Sequence, residues 1–521
     1  MTVVADVGSD VGSAARSASF AARRALPAAL VNAWTAALGA IALADFHRTD
    51  APSPTWAAVV AGVLTWVAVS AGGRVGGRVA ARATAAMCLL TTVGWVVQSR
   101  APISQVADGG STVASTAALN GTPVMAAVAV LGFLLALAFG HRVVHWSYWG
   151  GPVGAAIVLA LLLAPFVPGV GVPVNGVRSW AHVGPVRFQP GDLGRVALIL
   201  FLAAHLESRT TTLALPGRSR LARAFGIGAV RDLVRVFGLV AVAIGLLVLQ
   251  DDLGPAIILV AIAASLAWVA SGRLVYPAAA VATFVGGCVV IIGVGGGMAA
   301  KVSGRLEAWF DPFGDGPVAA VNGVALEAQA RGGLLGIGLG RSFDPYWVAA
   351  RNDYILPQVG LRLGLAGVAL VAVLLAVIVR DLLLLSRQAS DRGRYLALGA
   401  ACALGFQALL IAAGSTSAFA LTGVVFPFVS YGGTSLVASA SLVGLTVAAT
   451  SRPPLVLPRE RTRAPRRPRS GPCCCCSPAR SVPSRWSPPR STPRPSTTVA
   501  ITRGTANRCR WTAVGSSRRT G

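Results

Sequence analysis

The stretch AAIVLALLLAPFV, Ala155 to Val167, runs for thirteen residues without one polar side chain. A half-buried strand alternates apolar and polar residues, and a fully buried one is usually shorter, so this run reads as a helix with apolar surroundings on every side. VAVLLAVIV, Val371 to Val379, repeats the signal. Transmembrane β-strands show segments of roughly ten residues with alternating hydrophobicity, and neither run alternates. The whole chain is 54% hydrophobic and only 12% charged, whereas soluble domains carry about 25% charge. Together these features predict an all-α polytopic membrane protein.

Apolar runs near the ~20 residues that cross a bilayer recur along the chain. Expected spans lie near 26 to 45, 55 to 71, 79 to 98, 122 to 140, 148 to 167 and 188 to 206. A second set lies near 236 to 250, 253 to 270, 276 to 297, 354 to 379, 394 to 414 and 422 to 449. This makes about twelve transmembrane helices between a short N-terminal segment, 1 to 25, and a tail, 452 to 521. Met1 to Ala25 is mostly small and polar, so no cleavable signal peptide is expected before the first span.

Charge gives the orientation. Short basic loops stay cytoplasmic, and with the N-terminus inside the arginines at 16, 23, 24, 74, 78, 82 and 142 all fall on one side. The cluster from Arg209 to Arg235, the RDLLLLSRQASDRGR segment from Arg380 to Arg394 and the tail fall there too. Both termini are therefore expected in the cytoplasm. Ser99 to Gly121, the PVNGVRSWAHVGPVRFQPGDL stretch from Pro173 to Leu193 and a long loop from Ala299 to Asn352 are expected outside. The tail has sixteen arginines against the single acid Glu460. It has two readings: a disordered segment whose charge attracts anionic lipid, or a frameshifted terminus without function. Lys301 is the sole lysine, and this arginine bias suits a GC-rich coding sequence rather than a nucleic-acid surface. Cys88, Cys288 and Cys402 stand singly in apolar runs, and Cys473 to Cys476 lack zinc-site spacing.

Three segments concentrate polar chemistry. In NGVRSWAHVGPVRFQPGDLGR, Asn175 to Arg195, Asp192 and Arg195 stand three apart at the outer end of a helix, where they can pair. They read either as a capped helix start or as a site, since ionisable groups inside a membrane bundle often mark one. In LQDDLGPAI, Leu249 to Ile257, Asp251 and Asp252 can cap the next helix, or Asp252 can serve a site. In LTGVVFPFVSYGGTSLVASASLVGL, Leu421 to Leu445, the residues Pro427, Gly432 and Gly433 interrupt an apolar helix beside Ser430 and Tyr431. Broken backbone at membrane depth needs protein or a water-filled cavity to satisfy it, so a polar cavity is expected there.

In this order the three segments resemble the SEDS (shape, elongation, division and sporulation) family of FtsW, RodA and SpoVE proteins, and the longer actinobacterial members most. The family patterns NGA.RW and FQPSELAK correspond to NGVRSW and FQPGDLGR, QPDLG to QDDLG, and TG..LPFVSYGGSSL to TGVVFPFVSYGGTSL. The resemblance covers roughly Val79 to Arg452 and implies the family's ten-helix bundle with two additional N-terminal spans. RLEAWFDPFGDG, Arg305 to Gly316, is similar to the family's W.DP.ADP motif in the large external loop before the tenth span of this chain. Asp311 falls on the first aspartate and Asp315 on the second, which the family uses as the catalytic residue of a peptidoglycan glycosyltransferase. Departures follow: GPVAAVNGVALEAQ replaces P.G.GYQ, AARNDY keeps Asp353 but loses the acid before it, and GLRLG replaces GEELG.

The resemblance implies polymerisation of lipid II at the outer face of the bacterial cytoplasmic membrane, beside a class B penicillin-binding protein and other division or elongation proteins. Asp315 is the expected general base. Asp311, Arg178, Asp192, Arg195, Asp252, Ser430, Tyr431, Gly432 and Gly433 are expected to line the cavity or bind substrate. Arg178 and Arg195, or a divalent cation (Mg or Mn), would meet the departing diphosphate, and no organic cofactor and no nucleic acid is expected. Two rivals stand beside the enzyme: a lipid II flippase and a non-catalytic scaffold for cell-wall synthases. No internal repeat relates 1 to 230 with 231 to 451, which speaks against the transporter architecture.

Overall fold

The computed structural model describes residues 55–98, 114–174, 177–184, 186–208, 230–339 and 351–451. The expected span at 26 to 45, both termini, the basic loop after Ser208 and the cysteine run lie outside the described residues. The described part forms helices α1 (Thr55–Gln98), α2 (Ala114–Val144), α3 (Pro152–Leu163), α4 (Pro190–Glu207), α5 (Val230–Leu249) and α6 (Leu253–Ser271). They continue with α7 (Val275–Val294), α8 (Gly297–Phe310), α9 (Pro317–Gly332), α10 (Ile355–Ser386), α11 (Asp391–Ser415) and α12 (Gly433–Thr450). Six of the described helices are long and apolar enough to cross a membrane, and three shorter helical stretches are apolar as well.

α1 holds both spans expected between 55 and 98. Gly77 breaks it with φ 67°, a conformation that costs glycine nothing. The chain doubles back there: a Cβ on Gly72 would stand 2.7 Å from the Thr84 hydroxyl and one on Gly73 3.2 Å from Ala81. The Thr65 hydroxyl correspondingly bonds to Cys88. Small residues let helices approach closely in a bilayer, where burial of apolar surface drives nothing. At the α2–α12 crossing a Cβ on Gly444 would lie 2.6 Å from the Phe133 carbonyl, and one on Gly140 2.9 Å from the Ala448 methyl.

Several expected boundaries move. The stretch around 171 to 188 is a three-stranded antiparallel sheet, β1 (Gly171–Val174), β2 (Val177–Val183) and β3 (Val186–Phe188). It is the one departure from an all-α architecture among the described residues. The long external segment is not a loop throughout: α8 and α9 fold as a helical pair with FDPFGDG as their turn. Gly364, φ 68°, splits α10 into a short buried piece, 355–363, and a span that begins at Leu365. The break is held by Leu365 N–H to Gly333 O at 2.9 Å and Ala366 N–H to Leu334 O at 3.1 Å. The helix expected from 422 begins only at Gly433, and 420–426 has no regular structure. Residues from Arg380 to Ser386 continue α10 rather than forming a loop.

The reason for that last shift is Asp381, which is fully buried. Arg82 of α1 donates to it through Nε at 2.7 Å and Nη2 at 2.5 Å, and Arg380 stands 3.6 Å away. The basic end of the bundle is tied again by Arg392, whose Nε reaches Glu207 at 2.5 Å and whose Nη1 reaches the carbonyls of Val144 and Trp146. Truncation of Arg82 leaves the buried carboxylate with only the longer 3.6 Å contact to the exposed Arg380, and loss of a buried ion's main partner costs up to about 3–5 kcal/mol. Arg82→Ala is therefore expected to lower the thermal midpoint of the detergent-solubilised protein by several degrees, and Arg82→Leu with Asp381→Leu to recover most of it. A single variant as stable as the parent would remove the pair from the account.

Candidate functional site

At the end opposite the arginine pairs, α8, α9, the sheet, the N-terminus of α6 and the segment 416–432 meet. Asp311 ends α8: its N–H bonds to Glu307 O at 2.8 Å, and Gly314 N–H returns to the Asp311 carbonyl at 3.3 Å. A Cβ on Gly314 would lie 2.8 Å from Asp311 Oδ2, so the carboxylate folds over the turn. Asp311 is thereby a turn former, as Asp-Pro sequences favour. Asp315 precedes Gly316, the N-cap residue of α9, so its carboxylate stands by the positive end of that helix. It is exposed and makes no ion pair among the described residues. Both acids line a groove of ≈470 Å³ with Lys301, Gly304, Glu307 and Pro317.

Below the groove lies a second group of acids. Asp251, held at φ 63°, pairs with Lys301 of α8 at 3.2 Å. Asp252 occupies the N-cap position of α6, but its side chain does not cap the helix, which corrects the capping expectation. Its carboxylate instead accepts from Gln189 Nε2 at 3.0 Å and from the Ser179 hydroxyl. Asp192 and Arg195 pair at 3.5 Å and are almost wholly buried, and Arg195 Nη1 donates to Gln407 Oε1 at 2.5 Å. Arg195 is thus committed to the bundle. Arg178 is exposed on β2, where its backbone N–H bonds to Gln250 O at 3.1 Å.

The fourth acid, Asp353, precedes α10. A Cβ on Gly423 would lie 3.8 Å from its Oδ2 and 3.4 Å from Arg305 Nη2. Gly423 has φ +72°, so a larger residue would be strained as well as crowded. Burial pushes the Asp252 carboxyl up to about 6, with the Asp192 charge adding to the rise and Arg305 opposing it. Burial likewise raises Asp353 to about 6 against the pull of Arg305. The sequence does not single out Arg305, because nothing in its spacing shows what it faces.

The SYGG residues play another part. Ser430 Oγ accepts from Phe426 N–H at 2.7 Å and donates to Asn352 O at 2.8 Å. Tyr431 N–H donates to Arg351 O at 2.8 Å, and Gln98 Nε2 donates to Val429 O at 2.5 Å. Ser430, Tyr431, Gly432 and Gly433 line a pocket of only ≈10 Å³, room for about one water. The polar cavity expected there is instead the acid group beside it. On the flank of the bundle, an apolar groove of ≈410 Å³ runs between α5, α6 and α7, lined by Phe237, Ile244, Tyr276 and small residues.

The family model described as cell cycle protein, FtsW/RodA/SpoVE, matches residues 81–452. The chain belongs to that family. The match spans the same region as the motif resemblance and includes every residue of both acid groups. FtsW/RodA/SpoVE relatives include the probable peptidoglycan glycosyltransferase FtsW of Geobacter sp. (strain M18), 29% identical over 62% of this chain and 85% of that one. The peptidoglycan glycosyltransferase RodA of Mycobacterium tuberculosis is 27% identical over 61% of this chain and 67% of that one. A solved structure described as "Structural coordination of polymerization and crosslinking by a peptidoglycan synthase complex" superposes with a TM-score of 0.54 at 23% identity, over 70% of this chain and 95% of that one. It supports the fold of this FtsW/RodA/SpoVE member.

Among the described residues no three His, Cys, Asp or Glu side chains converge as a metal cage. A Mg or Mn ion would have to be held largely by ligands that a substrate brings. The two raised acids also bear on stability. An acid whose folded pKa lies above its unfolded value, near 4, keeps its proton longer when folded, so its contribution favours folding at low pH. That contribution is lost as pH rises from about 4 through about 6, at up to ~1.4 kcal/mol per pH unit for each group. The thermal midpoint is expected to fall over this window and Asp353→Asn to flatten the fall; a variant that tracks the parent at every pH would refute the assignment.

Proposed function

We propose that the chain is a peptidoglycan glycosyltransferase that polymerises lipid II into glycan strands at the outer face of the bacterial cytoplasmic membrane. The match of 81–452 to the FtsW/RodA/SpoVE family carries this reading, since the relatives bear that activity in their names. The acid-lined groove supplies a place for the chemistry. In the reaction the 4-hydroxyl oxygen of the acceptor sugar attacks the anomeric carbon of the donor. The bond from that carbon to the diphosphate oxygen breaks, the electron pair leaves with the diphosphate, and the hydroxyl proton passes to a base.

Asp315 is our assignment for that base. It stands exposed at the groove with no structural partner, whereas Asp311 is occupied with its own turn. A positioned base typically contributes ~10² to 10⁴ in rate. The apolar groove beside Phe237 and Tyr276 suits the prenyl chain of a lipid-linked donor. Asp252, Asp192 and Arg195 shape the polar floor below. A divalent ion would arrive with the diphosphate, as Mg²⁺ commonly does when it is bound through one or two carboxylates and substrate phosphates.

The excess of arginine in one set of short loops supports cytoplasmic termini and an external groove. A class B penicillin-binding protein is the proposed partner, by likeness to the synthase complex. The test is polymerisation of labelled lipid II by purified protein, with and without such a partner and with Mg or Mn. Polymer is expected to fall at least ~100-fold in Asp315→Ala and to persist in Asp311→Ala. Movement of lipid II across the bilayer without polymer would replace this reading by a flippase, and inactivity with every partner would replace it by a scaffold.

A further inference from the structure

We propose that Arg305 is the residue that grips the diphosphate of the lipid-linked donor. This assignment rests on the reading of the site as a glycosyltransferase centre and names its anion subsite. A guanidinium offers five N–H donors in a planar fork that matches phosphate oxygens. Among the described residues Arg305 makes one hydrogen bond, a long one of 3.4 Å from Nη1 to the Thr422 carbonyl. Among the described residues it forms no ion pair with the acids around it, and most of its donors have no protein partner.

That space is built. Arg305 lies on α8 one turn after Lys301 and beside Gly304, both in the wall of the Asp315 groove. Its Nη2 stands over Gly423, whose missing side chain keeps the gap between Arg305 and Asp353 open. The Thr422 hydroxyl, on a side chain 5% exposed, is buried without a partner next to this gap. Three other cations at this end are engaged. Arg195 holds Asp192 and Gln407, Lys301 holds Asp251, and Arg331 holds Glu327 at 2.6 Å. Arg178 points to solvent from the sheet.

Two carboxylates next to an anion site would repel it if both stayed charged. Asp252 and Asp353 titrate near 6, so an arriving diphosphate draws protons onto them and the repulsion falls. The charged and polar groups that face the two acids are Asp192 and Arg195 from α4, Ser179 and Gln189 from the sheet and its exit, Arg305 from α8 and Tyr354 before α10. Diphosphate binding is accordingly expected to weaken as pH rises from 6 to 8, and Asp353→Asn to reduce that dependence.

The experiment is equilibrium binding of inorganic pyrophosphate, inorganic phosphate and farnesyl diphosphate to the full chain in nanodiscs. Each is measured with and without Mg, with thermal midpoints recorded for every variant. Arg305→Ala is expected to weaken diphosphate binding at least tenfold, Arg305→Lys to weaken it less, and Arg331→Ala on the neighbouring helix to leave it unchanged. Binding of farnesyl diphosphate alone supports the site as one for a lipid-linked diphosphate. Undiminished binding in both Arg305 variants, an equal loss in Arg331→Ala, phosphate binding as tight as diphosphate binding, or no binding by the parent chain would each overturn the assignment. Should Arg305→Ala fail to fold, Arg305→Lys decides the matter. Because polymer is not the readout, a parent chain that binds diphosphate through Arg305 but forms no glycan would refute the functional reading and not this subsite.

Discussion

A backbone amide or carbonyl left without a partner in a bilayer costs several kcal/mol, so irregular chain at membrane depth survives only where protein or water satisfies it. The irregular segment 416–432 packs within the helical bundle and needs such partners, and the acid-bearing end of the bundle supplies them. Gln98 from α1 and Gln407 from α11 each give a side-chain amide to a carbonyl of this segment, at Val429 and Val425. Ser430 closes the turn on itself and on Asn352. Gly94 and Gly254 let it approach, since a Cβ on either would lie 2.4 or 2.5 Å from its carbonyls. An irregular strand wedged in this way brings Thr422 and Gly423 beside Arg305 and Asp353, and so makes the polar floor of the site.

Charge is sorted along the same axis. At one end Arg82 and Arg392 hold Asp381 and Glu207 in close pairs that tie helices far apart in sequence. Such pairs satisfy the acids fully and leave nothing for a ligand. At the other end the pairing is incomplete: Asp192 has Arg195, Asp251 has Lys301, and Asp252 and Asp353 share the influence of Arg305 without touching it. Incomplete pairing in a partly buried place is costly to stability, which is why it points to chemistry.

The site has two storeys with different physics. Asp315 is exposed at the start of α9, where its carboxylate is reachable from solvent. Asp252 and Asp353 sit lower, with their charge suppressed by burial. In the proposed reaction the acceptor hydroxyl would meet the first and the donor diphosphate the second. Lys301 links them, since it lines the groove and pairs with Asp251 of the floor.

Much of this was legible from residues alone. Unbroken runs such as Val371 to Val379 determined helices in a membrane, because no other element accommodates them. The arginine bias of one set of loops set the expected polarity of the bundle, and FDPFGDG, with its Asp-Pro step and glycines, marked a turn. Tertiary structure decided what local sequence does not encode. Whether Gly77 and Gly364 merely bend a helix or reverse and split it depends on the neighbours that accept the broken ends. Asp252 reads as a helix cap by position, yet its carboxylate is claimed by Gln189, sixty-three positions earlier. Arg305 and Arg195 are alike in sequence. Arg195 has Asp192 one turn away to bind it, while Arg305 has carboxylates near enough to feel and too far to hold, a difference that exists only after the chain has packed.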